Sequence, residues 1–102
     1  MSIEIRQYLG TAAAMQGNSS GYPAGERHAF ILYVAQKIGE EPHWDNAAAI
    51  VLEKLWGDVE LRKTGLLSKG KRLEHPFSEM YPEALEHGSA LLIYSGVENE
   101  HT

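Results

Sequence analysis

Hydrophobic and polar positions along the chain change period several times, and each change marks an element. Residues 3–9 alternate, with Ile3, Ile5, Gln7 and Leu9 on one side and Glu4, Arg6 and Tyr8 on the other, which predicts a strand with one wet face (β1). Residues 11–16 (TAAAMQ) fit either a helical turn or a continuation of that strand. GNSSGYPAGE (17–26) carries three glycines and a proline and reads as a turn-rich loop, with Tyr22 its exposed aromatic. Residues 28–36 (HAFILYVAQ) are apolar without alternation from Ala29 to Ala35, the pattern of a strand buried on both faces (β2).

A helical stripe follows, formed by Trp44, Ala48, Val51, Leu52, Leu55 and Trp56. Asp45 is its expected N-cap and Gly57 its expected terminator (α1). Residues 59–64 alternate again (β3). Phe77, Met80, Tyr81, Ala84 and Leu85 repeat at helical spacing over 77–87 (α2), although Pro82 argues for a shorter helix that begins on it. Gly88 closes this helix, and residues 89–95 form a second apolar strand (β4). Residues 1–2 and 97–102 are expected to fray.

This order, β1-β2-α1-β3-α2-β4, predicts a single α+β domain over residues 1–102. Its mixed four-stranded sheet is expected in the order 1-2-4-3, with the two apolar strands central and the helices on opposite faces. The alternative is a ferredoxin-like sheet with both helices on one face and a second copy over the other, so a homodimer enters as a candidate partner.

Bulk composition narrows the class. At 102 residues, 43% hydrophobic and 23% charged, the chain suffices for one core without staples. It contains no cysteine, which excludes disulfides and thiolate metal sites. Neither a leader pattern nor an apolar run near ~20 residues occurs, so a cytoplasmic protein without a membrane segment is expected. The net charge of −5 disfavours generic binding to polyanions.

Charge is segregated. Arg62, Lys63, Lys69, Lys71 and Arg72 are five of the nine basic residues, with no acid between Leu61 and Leu73. Acids gather at Glu40-Glu41 and along Glu74, Glu79, Glu83 and Glu86.

Candidate chemistry is thin. Gly17-Asn-Ser-Ser-Gly21 spells the nucleophile-elbow pattern around Ser19, but a strand follows it where a helix is required. The five histidines form no metal-binding motif, and no cofactor or metal site is expected. His28 with Glu26, and His75 with Glu74, are the His–acid pairs weighed for acid–base work, which needs a pocket.

In size, acidity and lack of a catalytic motif the chain resembles bacterial immunity proteins and phage-encoded inhibitors, with no motif behind the likeness. The leading expectation is therefore a non-enzymatic protein that neutralises a basic protein partner through Glu40, Glu41, Trp44, Glu83 and Glu86. The alternatives are an anionic small molecule held by the 17–25 loop and the 62–72 loop, with Lys69, Lys71 and Arg72 as its cations, or a nucleic-acid contact through that basic loop.

Overall fold

The computed structural model describes residues 2–18, 20–67 and 74–98. Four strands, β1 (Ile3–Ala14), β2 (Arg27–Lys37), β3 (Trp56–Leu66) and β4 (Ser89–Val97), form one sheet in the order β3-β1-β2-β4. Helices α1 (Trp44–Glu53) and α2 (Phe77–His87) complete an α+β domain.

Every neighbouring pair is antiparallel, so the sheet is not mixed, and the order is not 1-2-4-3. The predicted β1–β2 and β2–β4 contacts form. The correction concerns β3, which lies beside β1 rather than β4. β1 is therefore central, and the apolar β4 lies at the margin.

Small side chains explain why β1 tolerates the middle. Its second half is Thr11-Ala12-Ala13-Ala14, and the strand runs straight through it. Ala14 pairs with Trp56, and the low alanines leave room for the indole, which is only 1% exposed and is the largest wholly buried side chain.

Each helix covers a different face. On one side Ala47 and Val51 of α1 join Tyr8, Ala12, Phe30, Leu32 and Trp56. On the other, Met80 and Ala84 of α2 meet Ile5, Ile31, Tyr33 and Ala90. Residues that alternate along β1 and β2 divide between these two cores, as a pleat requires. A ferredoxin-like arrangement with both helices on one face is thereby ruled out.

Element ends depart from the sequence pattern at identifiable places. α1 starts at Trp44 with His43 as its cap residue and no side-chain cap; Asp45 lies in the first turn. The helix stops at Glu53 because Leu55 takes a left-handed φ of 65°, and Trp56 opens β3 instead of closing the helix. α2 spans Phe77–His87 with Pro82 inside it, exposed where its ring meets solvent, and Gly88 caps it at φ 95° as expected.

Two register shifts interrupt the β1–β3 ladder. At the first, Leu9 opposes Lys63 while Gly10 opposes Leu61, which leaves Arg62 as the extra residue of a bulge. Here the strands approach so closely that a Cβ on Gly10 would lie 2.2 Å from the carbonyl oxygen of Glu60.

Candidate functional site

The segment that leads into α1 is held by a web of short polar contacts. Glu4 accepts hydrogen bonds from the Gly39 N–H (3.0 Å) and the Gln36 amide (3.2 Å). Gln36 also donates to the Glu40 carbonyl at 3.0 Å. Both carboxylate oxygens of Glu40 are engaged, one by the Lys37 N–H at 2.9 Å and the other by the His43 ring at 3.1 Å. The Lys37 N–H, followed by the His43 hydrogen bond, holds the Glu40 carboxyl below its ordinary value. Finally, the buried Tyr8 hydroxyl accepts from the His43 N–H at 2.9 Å and fixes the point where the helix begins.

The helix so placed presents an apolar flank that the sheet does not cover. Ala47 and Val51 point into the core. Trp44, Ala48 and Leu52, at i, i+4 and i+8, lie along one side. Trp44 rests edge-on against Tyr8, with ring centroids 5.6 Å apart, yet remains 42% exposed; Leu52 is 52% exposed. Exposed acids border the ridge, Glu41 and Asp45 near its start and Glu53 near its end.

The expected partner-binding residues thus fall into two groups. Glu40, Glu41 and Trp44 share the α1 side. Glu83 and Glu86 are exposed on α2, which covers the opposite face. Leu52, Asp45 and Glu53, which were not among the expected residues, lie on the same side as the first group. Sequence spacing alone put Leu52 in the same stripe as Val51, and only the helix's rotation over the sheet separates them.

A second polar cluster lies on the same face of the sheet, and it is closed. His28 is 0% exposed. Its Nδ1 meets the Tyr94 carbonyl at 2.8 Å, and its Nε2 meets the Glu26 carboxylate at 3.1 Å. Both partners are hydrogen-bond acceptors. Tyr22 stacks on the imidazole at 4.2 Å, and Trp56 meets it edge-on at 5.5 Å.

Tyr22, expected to be exposed, is therefore half-buried. Asn18 explains the difference. Its buried amide donates to the carbonyls of Met15 (2.8 Å) and Tyr22 (2.9 Å) and accepts from the Tyr22 N–H (3.2 Å), which folds the glycine-rich turn back onto the sheet. His28 and Glu26 do meet, but with no imidazole surface for a substrate to reach. His75 pairs with Glu79 rather than with Glu74. Ser19 lies outside the described residues. Among the described residues no three potential ligands gather to hold a metal.

The alternative anion-binding residues Lys69, Lys71 and Arg72 lie outside the described residues. Arg62 and Lys63, earlier in the same basic run of sequence, border a shallow, mainly apolar depression of about 280 Å³ over Leu9, Thr11 and Tyr94. Arg62 is shared there between Glu60 at 3.2 Å and Glu98 at 3.7 Å. A groove of about 320 Å³ along β4 is lined by Leu91, Leu92, Ile93 and Trp56, with Lys54 and Glu83 at its polar rim.

No helix among the described residues is long and apolar enough to cross a membrane. No protein-family model matches the chain, and comparisons with characterised proteins and with solved structures find no match.

Proposed function

We propose that the protein is a non-enzymatic binding protein that engages a basic macromolecular partner by direct contact through α1, as an inhibitor or immunity-type protein does. One observation carries this reading: an exposed tryptophan and leucine share a flank of a helix that is otherwise well anchored, and acids border them. Trp44 is the side-chain type that dominates interface energetics, and Tyr8 holds its ring in place, so little freedom is lost on binding. Glu41, Asp45 and Glu53 steer a cationic surface toward the ridge. Glu40 contributes by fixing the loop that presents Trp44, since its own carboxylate is already engaged. Glu83 and Glu86, on the far helix, add to the long-range negative field.

The test is capture from the source cell with wild-type protein as bait, identification of the bound protein, and binary binding measured over a range of salt. Trp44→Ala is expected to weaken that complex at least tenfold, as loss of a central aromatic anchor does. Glu41→Lys with Asp45→Lys is expected to slow association and to flatten its salt dependence. An acidic or nucleic-acid partner, or a complex indifferent to Trp44→Ala, defeats the proposal.

A further inference from the structure

Among the described residues no strand pairs with the outer side of β3 or β4, and these two margins are built differently. β3 carries Asp58, Glu60, Arg62 and Lys63 and is bent by two register shifts against β1, devices that keep an edge from pairing. On β4 the one register shift against β2 falls between Ile93 and Val97, so residues 89–93 pair regularly. Its nine residues, Ser-Ala-Leu-Leu-Ile-Tyr-Ser-Gly-Val, include no charge and no proline. Leu91, Leu92 and Ile93 are only half-buried along the groove at this edge, and Tyr94 and Val97 are exposed.

The backbone fixes which groups face outward. Gly88 O accepts from the Ala35 N–H, so in the antiparallel ladder residues 88, 90 and 92 bond to β2. Ser89, Leu91 and Ile93 therefore turn their N–H and C=O groups away from the sheet. A protein ligand that satisfies them has to be extended chain.

The sequence of β4 is complementary to itself in the one two-fold register centred on Leu92. Antiparallel pairing there sets Leu91 opposite Ile93, within the stretch 89–93 that pairs regularly with β2. Leu91 and Ile93 form the hydrogen-bonded pair, as their outward groups demand. These two side chains lie on the same face. No charge meets a like charge along the strand, even though each copy carries a net −5.

We propose that β4 pairs with β4 of a second copy about a two-fold axis at Leu92, joining two four-stranded sheets into one of eight strands. This interface is separate from the α1 ridge and stands without it. It is a small contact, so the dimer forms in the upper part of the concentration range of purified protein.

Sedimentation equilibrium of the purified full chain, from micromolar to submillimolar, tests the association. The expected result is a reversible shift from 11.3 kDa toward twice that mass. Leu91→Pro removes one outward donor per copy, a change tolerated on a strand edge. It is expected to weaken the dimer roughly thirtyfold, about a factor of five for each of two lost hydrogen bonds.

Because the chain has no cysteine, single thiols report the register without any need for the proline variant to fold. Leu92→Cys meets its own symmetry mate across a non-hydrogen-bonded pair, about 4.5 Å between Cα atoms, and is expected to cross-link on mild oxidation. Ser89→Cys lies roughly 20 Å from its mate in this register and stays monomeric on the same gel. A monomer at all concentrations, or a Ser89→Cys that cross-links as readily as Leu92→Cys, overturns the proposal. So does a monomer that captures only a foreign extended peptide.

Discussion

Replacing Gly10 with alanine probes the closest backbone approach in the sheet. The added Cβ would lie 2.2 Å from Glu60 O and 3.1 Å from both Glu60 C and Leu61 Cα. All three are backbone atoms, so no side chain can swing aside. A separation below 3.0 Å is essentially never adopted, so β3 must retreat by most of an ångström at the bulge that also sets the register of Trp56. Overpacking of this kind costs about 1–3 kcal/mol, and a clash with fixed main chain belongs at the upper end.

A loss of about 3 kcal/mol lowers the melting temperature of a domain this size by roughly 12–24 °C. The urea midpoint falls with little change in slope. Gly65→Ala, on the facing strand β3, is the control. Nothing lies within 4 Å of the Cβ it would gain, and its φ is not left-handed. It is expected to be neutral, or to stabilise by about 0.5 kcal/mol through the unfolded state. If Gly10→Ala melts with wild type, or if Gly65→Ala is equally damaging, the account of a steric contact at Gly10 is wrong.

Two further expectations concern the segment that presents α1. Tyr8→Phe removes the acceptor for the His43 N–H while keeping the ring against Trp44; thermal unfolding should show a loss of about 1 kcal/mol, and an unchanged melting temperature would mean that the hydroxyl does not secure the helix start. Glu40, held below its ordinary value of 4.5 in the folded protein, favours the fold as a carboxylate. Its contribution is complete above pH 4.5 and disappears as the pH falls through the lowered folded value. Glu40→Gln is thus expected to be less stable than wild type at neutral pH and to converge with it in acid. Urea midpoints followed against pH check this, and a gap that stays constant into acid contradicts it.

Much of the fold was legible where one physical signal dominated. The unbroken run in β2 could only be a doubly covered strand, and Gly88 ends α2 at the expected residue because a left-handed turn there needs no Cβ. The sheet order was not legible, for two reasons. Glu4 and Arg6 make β1 look half-solvated, yet Glu4 is consumed by Gly39 and Gln36, and Arg6 reaches Thr64. The greasiness of β4, in turn, suggests a centre when it belongs to an unguarded margin. At the candidate site, Trp44, Glu40 and Glu41 were singled out by residue type, and the structure sets them on the α1 side. Leu52 was missed as a surface residue because a helical wheel gives a stripe's width and not which part of it the neighbouring layer covers. Tyr22 was misjudged because its placement depends on Asn18, whose three amide bonds leave no periodic trace.

Putting the first strand at the heart of the sheet imposes an order on assembly. β1 and β2 adjoin through a short excursion of chain and make the seed. The two outer strands join only after long detours: β3 returns across α1 to Arg6, some sixty positions away, and β4 crosses beneath the seed by way of α2. Closing such wide loops is slow, and the gain comes only at the end. Amide protons of the inner pair should therefore exchange with solvent last, and each flap, arriving with a helix as its lid, should open toward its own side of the molecule.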